Sequence, residues 1–180
     1  IIMLLINPFV SAINTGLNNF LFSLSGVNKI ILGAILAGMM SVDLGGPVNK
    51  AAYTFGTGML AEGHYEIMAA VMIGGMVAPL AIAFLATFFP KKLPKKERQA
   101  GLLNYVMGLS FISEGAIPFA SADPIRVLPA CVIGSAMSGA LSMAFNCSLM
   151  APHGGIFVLP LIYKTVDIPA NPIHMTSIIN

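Results

Sequence analysis

The chain has 180 residues, of which 57% are hydrophobic and 9% charged, with a mean hydropathy of +0.87; a soluble domain carries roughly 25% charged residues. That excludes an ordinary soluble enzyme and reads as an integral membrane protein. A net charge of +2, with five of nine Lys and Arg residues confined to positions 91–98, leaves no basic surface for nucleic acid.

The first residue is Ile1, and an apolar run starts at once without a charged leader, so the chain reads as a piece of a longer one rather than as one opening with a signal peptide. Ile1 to Val10 reads as the end of a spanning helix closed at Pro8. From Ser11 to Leu24 apolar residues alternate with Asn14, Asn18, Asn19 and Ser23, the pattern of an interfacial amphipathic helix. Lys29 to Met40 begins an apolar segment whose Gly33/Ala37 and Ala34/Gly38 spacings supply a close-packing face.

At Asp43 the apolar segment is interrupted. Asp43, Gly45, Gly46, Pro47, Asn49 and Lys50 fall within eight positions at membrane depth, which predicts a discontinuous helix running to Gly56. Ala61 to Tyr65 is a polar connection, and Glu66 to Phe89 is the clearest span. Pro90 ends it, and Lys91 to Arg98 is a basic loop placed on the cytoplasmic side by its charge.

Leu102 to Ala122 is too interrupted for an ordinary span and reads as a re-entrant hairpin carrying Glu114. Asp123-Pro124 has the form of a helix cap followed by proline at the first helical position, opening a span to about Asn146. That helix carries Gly134/Ser138 and Ser135/Gly139, and also Cys131 and Cys147, 16 positions apart and too distant along one helix for a disulfide. Ala151-Pro152-His153-Gly154-Gly155 breaks the chain again before an apolar run from Ile156 to Tyr163. The expected fold class is therefore an all-α integral membrane protein, with transmembrane helices, re-entrant hairpins and an interfacial amphipathic helix.

Polarity concentrates at three interruptions: Asp43 with Asn49 and Lys50, Glu114 with Asp123 and Arg126, and His153. Broken helices near the midplane are where transporters bind polar substrates, and a sugar's hydroxyls suit Glu, Asn, His and Lys partners. Each residue also has a plainer reading. Asp123 fits a helix cap with Arg126 as its neighbour, Lys50 fits a snorkelling cation or a partner for Asp43, and His153 fits a donor to loop carbonyls. Glu114 has no such account, because an unpaired acid in this setting costs on the order of 2.5–3.5 kcal/mol by insertion scales. Residue types alone leave open a sugar site, a proton relay and an ion site. An ion-coupled secondary transporter using Asp43 and Glu114 is the rival class, and a purely structural subunit is the third. No nucleotide, hydrolase or metal-ligand motif is present, so no cofactor or metal is expected.

Three motifs in order, Gly45-Gly46-Pro47-Val48-Asn49-Lys50-Ala51-Ala52-Tyr53, Phe111-Ile112-Ser113-Glu114-Gly115-Ala116-Ile117-Pro118-Phe119 with Asp123 to Arg126, and Ala151-Pro152-His153-Gly154-Gly155, resemble the fructose-specific IIC permease domain of the bacterial sugar phosphotransferase system. The resemblance runs from the amphipathic region to about Pro160. It implies that residues 1–180 are the C-terminal part of a single IIC membrane domain that lacks its early spans. The whole would be a multi-pass homodimer in the bacterial cytoplasmic membrane, surrounded by the lipid bilayer. Such a permease binds fructose or a related sugar and receives phosphoryl groups from a IIB domain, itself supplied through IIA and HPr. It implies a sugar phosphotransferase of which this chain alone is not active. By the same resemblance Glu114 contacts the hydroxyl that receives phosphate, and His153, Asn49 and Lys50 line the site, with Asp123 and Arg126 as further binding residues. Cys131 and Cys147 lie outside any IIB-like domain and are not the phosphocysteine.

Overall fold

The computed structural model describes residues 29–164, so the helix end at Ile1 to Val10 and the amphipathic segment Ser11 to Leu24 lie outside the described residues. Six α-helices follow in order: α1 Lys29–Val42, α2 Pro47–Ala61, α3 Tyr65–Phe88, α4 Lys95–Leu109, α5 Ile117–Ala122 and α6 Pro124–Ala144. Short 3₁₀ turns occupy Pro90–Lys92, Ser113–Ala116 and Gly155–Leu161. Two of the helices, α3 and α6, are long and apolar enough to cross a membrane.

The helix boundaries follow local chemistry. Between α2 and α3, Gly63 takes a left-handed φ of +86°, its N–H bonding Leu60 O while His64 N–H bonds Met59 O. This pair of bonds closes the helix in a Schellman motif, and glycine carries no Cβ penalty there. Pro94 precedes α4, which starts inside the basic stretch rather than at Leu102, so Lys95, Lys96 and Arg98 are helical. Asp123 opens α6 by accepting the Arg126 backbone N–H, as the Asp-Pro signal predicts.

Small residues let the helices approach closely. A Cβ on Gly139 of α6 would collide with Ala37 and with the Gly33 carbonyl of α1, and a Cβ on Gly74 of α3 would lie 2.6 Å from the Ala37 Cα. The Gly33/Ala37 and Ser135/Gly139 spacings thus form the crossing of α1 and α6. Beside it, Ser41 Oγ meets Ser135 Oγ at 2.6 Å, and Ser135 Oγ donates to Gly74 O at 2.8 Å. Three helices are therefore joined by two buried hydroxyls. Around this seam, Leu36, Met40, Phe55, Met68 and Val71 form one buried core, and Leu44, Ile82, Phe119 and Cys131 form a second under the Glu114 turn.

Two findings depart from the sequence reading. The helix of Cys131 ends at Ala144, where Asn146 turns left-handed at φ +53°, so Cys147 falls in a strand and the two cysteines do not share a helix. The fold is also not purely helical: Cys147–Leu149 pairs antiparallel with Ile162–Lys164 in a two-stranded ribbon, β1 and β2. The apolar run after Gly155 is a 3₁₀ segment joining those strands, too short to cross a bilayer.

Candidate functional site

The first break, between α1 and α2, is built by Asp43. Its Oδ2 accepts the Val48 N–H at 2.7 Å and its Oδ1 the Asn49 N–H at 2.9 Å, while Gly46 N–H bonds the Asp43 carbonyl at 3.2 Å. Pro47, at the first helical position, has no N–H to satisfy. Every orphan donor of the α2 N-terminus is thereby used, and none remains for an anion. The turn needs left-handed backbone at Leu44, φ +48°, and Gly45, φ +113°.

The second break, after α4, is a Schellman motif closed by an unusual residue. Phe111 N–H bonds Gly108 O at 3.2 Å and Ile112 N–H bonds Met107 O at 2.9 Å, which puts Phe111 at the position normally held by glycine, with φ +63°. A bulky residue is held there against a conformational cost of about 1–2 kcal/mol. Its ring lies in the notch left by Gly75 of α3, where any Cβ would collide with it. Ser113 to Ala116 then forms a 3₁₀ turn that packs on α4, with no room for a Cβ on Gly115 against Asn104 and Met107. Asn104 is 1% exposed, and its Oδ1 is buried without a partner among the described residues.

The third break, Pro152 to Gly155, docks on the second. Gly155, at φ +57°, sits so close to Leu109 O and the Phe111 N that no Cβ fits. This brings the His153 ring edge-on to the Phe111 ring at 5.1 Å and to the Tyr53 ring at 6.4 Å, while Tyr53 and Phe111 are 6.1 Å apart.

The three breaks therefore meet. Glu114 lies over Gly45, where a Cβ would come within 2.9 Å of Glu114 Oε1. Asn49, one turn before Tyr53 on α2, donates from Nδ2 to Met40 O at 2.6 Å and reaches Ser113 Oγ at 3.4 Å. Glu114 is exposed and has no ion-pair partner among the described residues. An exposed carboxylate beside a turn clamped from two sides is suited to accept a hydrogen bond, or a proton, from a ligand hydroxyl.

The residues singled out from sequence separate into distinct roles. Asn49 reaches the residue before Glu114, and His153 meets the same turn through Phe111, with Lys50 exposed beside Asn49 on α2. Asn49 is buried and uses its amide donors on the protein. Asp123 and Arg126 engage each other: the guanidinium Nη1 donates to Asp123 Oδ2 at 3.3 Å, alongside the backbone cap, on a side chain 87% exposed. Asp43 is a helix cap, with both oxygens committed, and not a partner of Lys50; the proline four residues on was the signal for it. Sequence reasoning passed over Tyr53 and Phe111, whose aromatic character is ordinary in an apolar chain and becomes notable only when the rings meet His153.

A cavity of about 470 Å³ lies elsewhere, between α3, α6 and the Gly155–Leu161 segment. Its walls, including Met72, Leu141, Phe145, Leu149 and Leu159, are almost wholly apolar, so it offers little to pair with a polar ligand.

Comparison with known proteins bears on what this cluster serves. The family model for the phosphotransferase system, EIIC, matches residues 1–134. The PTS system fructose-specific EIIB'BC component of Vibrio cholerae serotype O1 is 57% identical over 151 residues, 83% of this chain and 26% of that protein. The fructose permease IIC component of Bacillus amyloliquefaciens is 52% identical over 163 residues, 88% of this chain and 53% of that protein. The fructose-specific EIIB'BC component of Escherichia coli K12 is 52% identical over 155 residues, 86% of this chain and 28% of that protein. The chain thus spans about a quarter to a half of the length of these relatives. No solved structure matches it. With the family match covering most of its length and relatives this close, the chain belongs to the phosphotransferase system EIIC family.

Proposed function

We propose that this chain forms the sugar-binding part of a fructose permease, taking fructose from outside and presenting it for phosphorylation as it enters the cell. The observation that carries this reading is the meeting of Glu114, the Asn49–Ser113 clamp and His153 around Gly45 and Phe111. The relatives are fructose-specific, which supports fructose as the sugar, and several are EIIB'BC or EIIABC components, which supports a IIB donor. Glu114 accepts the hydrogen bond of the sugar hydroxyl due to be phosphorylated. That oxygen attacks the phosphorus carried on the IIB cysteine, the phosphorus–sulfur bond breaks, and the hydroxyl proton passes to the Glu114 carboxylate. Phosphoryl transfer depends mainly on positioning and charge stabilisation, and both are roles a fixed carboxylate and nearby cations fill. Lys50 and Arg126, both exposed, offset charge on the incoming phosphoryl group; Asp123 holds Arg126, His153 lines the sugar, and Asn49 acts through its clamp on Ser113.

Residues 1–180 belong in this reading to one IIC membrane domain of a multi-pass homodimer in the bacterial cytoplasmic membrane, with Leu102 to Ala122 as a re-entrant hairpin presenting Glu114. An ion-coupled transporter built on Asp43 and Glu114 fits less well, because Asp43 spends both oxygens on the α2 N-terminus. In the complete permease, Glu114→Gln is expected to abolish fructose phosphorylation while leaving expression and membrane insertion intact. Near-normal phosphorylation by that variant refutes the assignment.

A further inference from the structure

We infer that Tyr53 contacts the sugar directly, the face of its ring receiving the apolar C–H face of the sugar and the His153 ring, edge-on beside it, closing the wall; this rests on the sugar-binding reading above. A furanose or pyranose has two kinds of surface, a rim of hydroxyls and a flat face of C–H bonds. Polar groups satisfy the rim. The face needs an apolar surface with a negative π-cloud, which an aromatic ring provides.

Three observations place such a surface here. Tyr53 and Asn49 are four residues apart on α2 and so share a face about 6 Å apart, and Asn49 reaches Ser113, the residue before Glu114. Tyr53 is only half-buried and His153 is exposed, so their rings border open space, whereas Phe111 behind them is 7% exposed and serves as the backing. The Tyr53 hydroxyl has no hydrogen-bond partner among the described residues, so no bond within them ties the ring away from that space.

The backbone adds a fourth. Phe111 holds a left-handed conformation that glycine would adopt without cost, and Gly75 and Gly155 are both kept bare to seat it. Strain of this kind concentrates at ligand sites, where the surrounding structure enforces it. Here it brings one ring to within 6.1 Å of Tyr53 and 5.1 Å of His153. Glu114 then addresses the reacting hydroxyl while the Tyr53 ring holds the apolar face, which makes Tyr53 a binding residue for the sugar.

The test is equilibrium binding of radiolabelled fructose to the complete permease in the absence of any phosphoryl donor, for the wild type and for Tyr53→Phe, Tyr53→Trp and Tyr53→Leu, each checked for an unchanged melting temperature. The aromatic variants are expected to keep affinity within about twofold, and Tyr53→Leu, which fills space without a π-face, to weaken it about threefold to tenfold. With IIB present, the same variant should raise KM and leave kcat nearly unchanged, the pattern of lost uniform binding. Wild-type affinity in Tyr53→Leu overturns the inference while leaving the Glu114 assignment standing. No fructose binding by the wild type removes the sugar-binding reading and this inference with it.

Discussion

A single carboxylate decides whether α2 starts where it does. Asp43 satisfies two backbone donors that would otherwise be orphaned at a partly buried helix end, and a capping side chain of this kind is worth about 1 kcal/mol per helix, up to about 2. Asp43→Ala is therefore expected to lower stability by about 1–2 kcal/mol, read as a drop in the melting temperature of the detergent-solubilised protein. Gly45 works differently. Its φ of +113° is open to glycine, and its missing Cβ leaves the space the Glu114 carboxyl occupies. Gly45→Ala both strains the turn and displaces Glu114, and a misplacement of about 1 Å at a reacting group costs on the order of 100-fold in rate. The expected result is a fall of about that size in fructose phosphorylation by a protein that still reaches the membrane; unchanged turnover would separate Glu114 from the chemistry.

At the scale of elements, the scaffold for the site is the seam of α1, α3 and α6. Membrane helices gain little from hydrophobic burial against one another and rely on close packing and interhelical hydrogen bonds. Both are present at Gly33, Ala37, Gly74 and Gly139 and at the Ser41–Ser135–Gly74 chain. Ser135→Ala removes both bonds of that chain and should destabilise by about 1 kcal/mol. Gly139→Val meets backbone on α1 that cannot move aside, so the helices must part, and a loss of about 3 kcal/mol is expected. Thermal melts of the two variants side by side check the ranking. The spacing of small residues made this seam legible in the sequence, whereas the partner of each glycine was not, since spacing names a face and leaves open what covers it.

For the whole molecule, charge is what predicts the orientation of the site. Five cations between Lys91 and Arg98 follow the end of α3, and such a cluster is retained on the cytoplasmic side. Replacing all five by Gln is expected to give mixed topologies, measured by labelling of a Pro94→Cys reporter from outside intact cells, where the unmodified loop stays unlabelled. Hydropathy and charge also determined the membrane class, the two helices long and apolar enough to span, α3 and α6, the break after Val42 and the Asp123 cap, because each is a property of neighbours along the chain. Glu114 too stood out at once, since an acid among apolar residues is anomalous whatever surrounds it. What only the tertiary structure decided is how the breaks combine: that Glu114 rests on Gly45, and that Phe111 gathers Tyr53 and His153. These pairs are separated by roughly 40 to 100 positions, and no local rule of propensity or spacing reaches that far. They form because bare glycine backbone at Gly45, Gly75 and Gly155 lets distant segments come closer than any side chain would permit.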